Sequence, residues 1–159
     1  MRGDKQVIEF LNEQLSAELT AINQYFLHAK MQENFGWVKL ARHTRAESID
    51  EMRHAEILTE RILFLDGLPN YQRLFPLRIG QTITQMLESD MAVEAEAVDR
   101  LRRGSEHMRS VSDITSAKLF EDILADEEGH IDYLETQLHL VETLGEQLYL
   151  AQLVDQPSD

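Results

Sequence analysis

A chain of 159 residues suits one domain and can bury about 70% of its unfolded surface. With 15 basic against 29 acidic residues and a net charge of −14, it repels nucleic-acid phosphate and favours cations as partners. The absence of cysteine excludes disulfides, thiolate metal sites and iron–sulfur clusters.

Helix formers dominate, with 7 Gly and 3 Pro and no strictly alternating Val, Ile and Thr run, so the composition predicts an all-α fold. The charged start Met1-Arg2-Gly3-Asp4-Lys5 precedes no long apolar stretch. Neither a secretory signal nor a membrane span is expected, and the expected location is cytoplasmic.

Asp4 caps a first helix running to about Asn34, with Leu11, Leu15, Ile22, Tyr25 and Ala29 on one apolar face. Phe35-Gly36-Trp37 breaks it, and a second helix runs from about Val38 to Asp66, stopped by Gly67-Leu68-Pro69. So short a break makes the two helices antiparallel neighbours. Residues 67–81 hold Gly67, Pro69, Pro76 and Gly80 and form a connection. Thr82 with Gln85 makes a capping box for a third helix reaching about Arg109. Ser110-Val111-Ser112-Asp113 is a turn and a fresh cap for a fourth helix to about Leu144, ended by Gly145. A short fifth segment covers Glu146 to Val154, with Leu148, Leu150, Leu153 and Val154 expected to pack on symmetry mates. A polar, mobile tail is expected from Asp155. Helices of ~30 residues are ~45 Å long. A connection of ~15 residues spans up to ~50 Å, enough to run the length of a bundle and leave the second and third helices parallel.

The apolar stripes contain residues foreign to a core: Glu18 on the first helix, Glu51 and His54 on the second, Glu94 on the third, Glu127 and His130 on the fourth. The arrangement occurs twice. The two glutamates of each pair stand 33 positions apart (18 to 51, 94 to 127), and each second glutamate is followed three places on by a histidine. The local strings Asp50-Glu51-x-x-His54-x-Glu56-x-Leu58 and Asp126-Glu127-x-x-His130-x-Asp132-x-Leu134 match, so the chain reads as two related hairpins across a pseudo-two-fold axis. Four unpartnered buried carboxylates would cost several kcal/mol each and repel one another. Two divalent cations would neutralise them, and a Glu and His three apart on a helix point the same way. Oxygen and imidazole donors without thiolate suit iron, manganese, cobalt or zinc.

Ala21-Ile22-Asn23-Gln24-Tyr25, Glu47-Ser48-Ile49-Asp50-Glu51-Met52, Arg61-Ile62-Leu63-Phe64-Leu65 and Asp126-Glu127-Glu128-Gly129-His130 resemble the bacterioferritins, the haem-binding ferritin-like family, along nearly the whole chain. The ligand pattern is similar to that of ferritin-like di-iron and di-manganese bundles. The resemblance implies a ferritin-like antiparallel four-helix bundle with one long crossover and a short fifth C-terminal helix, a domain over 1–159 with its bundle at about 4–145. It implies iron storage: Fe(II) oxidised by dioxygen or hydrogen peroxide at an intrasubunit di-iron ferroxidase centre, and ferric mineral held in a hollow shell of twenty-four subunits.

By the same resemblance Glu18 and His54 bind one iron, Glu94 and His130 the other, and Glu51 and Glu127 bridge them. Haem b lies at the two-fold subunit interface between methionines, here Met52, which is rotated ~100° from Glu51 and points away from the core. Tyr25, two turns from Glu18, is placed to hydrogen-bond a ligand or give an electron, or is a core tyrosine with a satisfied hydroxyl. Glu47 is placed to pass iron inward and Asp50 to face the interior. A histidine the family can carry just before Glu47 is Ala46 here, which puts an interior iron site in doubt. His28, His43, His107 and His139 show no partner pattern and are read as surface or structural. Expected partners are iron ions, further copies or a paralogous subunit in the shell, and a bacterioferritin-associated ferredoxin, with no nucleic acid and no membrane. The alternative is a non-storing di-metal peroxidase or catalase-type enzyme.

Overall fold

A computed structural model of the chain describes residues 1–155, among which there are five helices and no strand. They are α1 (Lys5–Asn34), α2 (Val38–Phe64), α3 (Ile83–Ser110), α4 (Ile114–Leu144) and α5 (Glu146–Ala151). The tail expected from Asp155 lies, beyond Asp155 itself, outside the described residues.

Three helix ends share one device. After α1, α2 and α3 a residue turns into the left-handed region: Gly36 at φ 89°, Asp66 at 60° and Ser112 at 64°. The residue after each then donates its N–H back to the last turn: Trp37 to Gln32 O, Gly67 to Ile62 O, Asp113 to Met108 O. Because Asp66 itself makes the turn, α2 stops at Phe64, two residues short of the sequence expectation. Asp4 accepts from Val7 N and Asp113 from Ser116 N, capping α1 and α4 as expected. The Thr82 hydroxyl accepts from Gln85 N, but the Gln85 side chain reaches Gln81 N instead of Thr82 N, a capping box displaced by one residue.

Two hairpins, α1 with α2 and α3 with α4, pack through α1 and α3. The crossover runs from Leu65, whose carbonyl holds Gly3 N near the start of α1, to Thr82, the cap of α3. A polar row on α1 pins it every fourth residue: Asn12 to Asn70 N and Leu68 O, Ser16 to Arg73, Thr20 to Phe75 N, Gln24 to Arg78 N, His28 to Gly80 N. The chain therefore traverses the bundle, and α2 and α3 both run antiparallel to α1.

The apolar core is split. One cluster gathers Val7, Leu11, Leu15, Leu58, Ile62, Leu101, Met108, Phe120 and Ile123. A smaller one gathers Leu40, Ile83, Leu87, Leu134 and Tyr149. Ile22, expected on the core stripe, is only half-buried. The fifth helix also departs from expectation: it ends at Ala151, and Tyr149, Leu150 and Leu153 pack on the subunit's own smaller cluster, with Leu153 O accepting from Lys39 N. Leu148 and Val154 stay exposed.

Candidate metal centre

Between the two apolar clusters lies a polar layer made of Glu18, Glu51, His54, Glu94 and Glu127, all buried, with half-buried His130 beside them. Ligand atoms of Glu18, Glu51, His54 and Glu127 lie within 4.8 Å of one another, and so do those of Glu51, Glu94, Glu127 and His130. Glu51 and Glu127 are common to both groups. His54 Nδ1 stands 3.1 Å from Glu127 Oε1, 3.5 Å from Glu18 Oε1 and 3.8 Å from Glu51 Oε1. His130 Nδ1 stands 3.2 Å from Glu51 Oε1, 3.2 Å from Glu94 Oε1 and 3.7 Å from Glu127 Oε2. Each oxygen of Glu127 thus faces a different histidine.

The electrostatics are those of a centre short of positive charge. Burial pushes the Glu51 and Glu94 carboxyls well above the ordinary range, and the neighbouring Glu18 and Glu127 charges add to it. Burial pulls His54 and His130 down, but the surrounding carboxylates outweigh it and hold both well above the usual imidazole value. Burial also raises Glu127, yet the close approach of Glu94, His130 and His54 holds it below the carboxylate range. Glu18 Oε2, Glu51 Oε1, His54 Nδ1, Glu94 Oε2 and Glu127 Oε1 are buried with no hydrogen-bond partner among the described residues. Orphans concentrated in one layer, where buried polar atoms are normally paired, point to a missing ligand. The oxygen and imidazole donors fit a pair of borderline or hard divalent cations.

Further out, the buried Tyr25 hydroxyl donates to Glu94 Oε1. Gln14 Nε2 donates to Glu18 Oε1 at 2.8 Å. His54 Nε2 meets Asp126 Oδ2 at 2.9 Å, a contact that fixes the orientation of the imidazole ring. Asp50, at the matching place in the first hairpin, is held by Arg53 at 2.6 Å instead. Asp50, Arg53, His54 and Ile57 on α2 and Asp126 and His130 on α4 line a recess of ≈ 570 Å³ between the two helices.

The profile of the Ferritin-like domain matches residues 8–144. A bacterioferritin of Streptomyces coelicolor is 70% identical over 156 residues, covering 98% of this chain and 93% of that protein. The chain belongs to the bacterioferritin family. Bacterioferritin BfrA of Mycobacterium tuberculosis is 62% identical and superposes with a TM-score of 0.96 over 98% of both chains. A Rhodobacter capsulatus bacterioferritin, 46% identical, superposes at 0.98 over 100% of this chain and 99% of its own; that structure has a metal-free dinuclear site and a haem iron in a crystallographic special position. Among the described residues no helix is long and apolar enough to cross a membrane.

Met52, by contrast with the residues of the polar layer, is 54% exposed, in a recess of ≈ 550 Å³ lined by Leu19, Ile22, Ala55 and Tyr71 and rimmed by Glu56, Thr59 and Glu60. Glu47 is buried, and its Oε1 lies 2.7 Å from Nε2 of His43, whose ring stacks on Tyr133 at 3.6 Å. All four histidines that show no partner pattern in the sequence have a polar partner in the structure. His43 has Glu47. His28 is buried, its Nε2 accepting from Gly80 N, which leaves Nδ1 to donate to Asp90 at 2.9 Å. His107 lies 3.3 Å from Asp4, and exposed His139 lies 3.4 Å from Thr143 Oγ1. Gln14 and Asp126 were missed from sequence. A glutamine one turn before a ligand glutamate was the signal for the first; the matched Asp-Glu strings were the signal for the second.

Proposed function

We propose that the chain is an iron-storing ferroxidase subunit. It takes up two Fe(II) ions as substrate, one at Glu18 and His54, the other at Glu94 and His130, with Glu51 and Glu127 between them. Two Fe(II) together give up two electrons, which suffice to reduce dioxygen to hydrogen peroxide or hydrogen peroxide to water. The twinned ligand groups with two shared carboxylates carry this reading, because they offer six ligand side chains to two cations and leave orphaned acceptors without them. Tyr25 holds Glu94 in place and Asp126 holds His54. The recess between α2 and α4 reaches both histidines, and we read it as the passage by which ions move.

Storage requires the shell, and its support is family membership. Purified protein should run as a particle of twenty-four chains and, fed Fe(II) in air, should hold many iron atoms per subunit. A monomer or dimer that retains only two metals per chain would refute storage while leaving the centre standing.

Haem b is the second group we assign, between two copies of Met52. Outward exposure and an apolar recess fit a thioether pair on a two-fold axis, and the special position of the Rhodobacter haem iron lies on a symmetry element. When bound, a bis-thioether haem supplies one-electron chemistry at a raised potential. Met52→Leu should abolish low-spin haem after reconstitution and leave Fe(II) oxidation fast. A leucine variant with an unchanged low-spin spectrum would reduce Met52 to a packing residue.

A further inference from the structure

The two halves of the centre are alike in their ligands and different in what stands behind them. The hairpin repeat has an offset of 76 positions, which carries Glu18 to Glu94 and Glu51 to Glu127. Glu94 is backed by the Tyr25 hydroxyl. The residue in the same place behind Glu18 is Leu101, buried and without a donor. Glu18 is served instead by Gln14, whose repeat counterpart Asp90 is occupied by Gln24 and His28.

Gln14 has a second bond. Its Oε1 accepts from Arg100 Nη1 on α3 at 3.2 Å. The Arg100 guanidinium lies 5.3 Å from the ring centroid of Phe75, and Phe75 N is held by Thr20 Oγ1 at 2.9 Å, one of the pins of the crossover. A guanidinium only donates. The Gln14 oxygen must therefore face Arg100, and the Gln14 amide N–H must face Glu18. The row Arg100 to Gln14 to Glu18 has a fixed polarity, and it leaves Glu18 Oε2 as the free, orphaned oxygen.

We propose that Arg100 is a positioning residue that acts through Gln14 on Glu18, so that the cation at Glu18 and His54 depends on it and the cation at Glu94 and His130 does not. This rests on the two-cation reading of the centre. The two metal positions are therefore chemically inequivalent, one backed by a charged relay anchored on the crossover and the other by a neutral phenol.

The test is anaerobic titration of the metal-free shell with Co(II), which is not oxidised on binding, read by visible absorption and calorimetry. Wild-type protein should bind two Co(II) per chain. Arg100→Met and Gln14→Met should each weaken one of the two by roughly tenfold and leave the other unchanged, the scale of outer-shell partners of metal ligands. The double variant should lose no more than either single one, because the two residues act in series. Arg100→Lys, which keeps a donor and a charge, should recover part of the loss, and helical content and particle size check that each variant is folded. Equal weakening of both cations, tighter binding from the lost positive charge, or additive losses in the double variant would overturn the relay. A wild-type protein that takes up fewer than two Co(II) would instead bring down the two-cation reading, and the relay with it.

Discussion

The α1–α3 wall and the α2–α4 wall of the bundle serve the same centre in opposite ways. The first contributes one carboxylate per helix, Glu18 and Glu94, and backs each with a buried donor, Gln14 or Tyr25. It is also covered by the crossover, pinned from Asn12 to His28. The second contributes a glutamate and a histidine per helix and opens into a recess of ≈ 570 Å³. Its one outer-shell contact to a ligand histidine is Asp126, whose side chain is 63% exposed. On the proposed reading, position is set by the wall with fewer of the candidate ligands, and access is left to the wall with more of them.

The sharpest way to break that division is to remove a ligand from each wall. Glu127→Ala should lower rapid Fe(II) oxidation by at least ~100-fold, since outer-shell partners alone are worth roughly 10–100-fold. Glu127 faces both histidines, so its loss should cost more than that of Glu94, which serves one position. Both variants should fold, because removing a buried acid relieves repulsion in the metal-free layer. Stopped-flow oxidation at two irons per chain measures this. Wild-type rates in both variants would show that the chemistry lies elsewhere.

The open wall was the legible one. Its ligands carry a repeated Glu-x-x-His at a fixed interval, a pattern that helical geometry turns directly into convergence. The helices were legible too, because Asp4, Thr82 and Asp113 cap by local rules. The closed wall was harder. Asn12, Ser16, Thr20, Gln24 and His28 recur every fourth residue, a stripe visible in sequence, but their partners are backbone groups of an irregular segment that has no periodicity to read. Arg100 and Gln14 meet 86 positions apart, which only the packing of α1 on α3 brings about. The Asp66 turn was hidden because a left-handed aspartate is less expected than the Gly67 beside it.

The closed wall makes its own prediction, smaller in effect. His28→Leu keeps the size of the buried side chain and removes both of its bonds. Gly80 N and the buried Asp90 carboxylate each lose a partner. The cost should be about 3 kcal/mol, the range for a broken buried polar pair. Denaturant unfolding of the metal-free protein reads it, and a loss below ~0.5 kcal/mol would mean that the row does not hold the crossover.

The mildest test compares two glycines in helix interiors. At Gly104 on α3 an added Cβ would sit 2.3 Å from Phe120 Cε2 and 3.2 Å from Phe10 Cδ1, so the ring must shift within a packed core. Gly104→Ala should therefore destabilise by ~1–3 kcal/mol, the usual scale of overpacking. At Gly129 on α4, beside the recess, a Cβ would meet nothing within 4 Å. There the backbone entropy of glycine is unopposed by any packing gain, and Gly129→Ala should stabilise the subunit by about 0.5–1 kcal/mol. The signs should be opposite in thermal unfolding of metal-free protein prepared identically. If Gly129→Ala also destabilises, the α2–α4 wall is not open in the assembled particle, and something packs against α4 where the isolated subunit shows space.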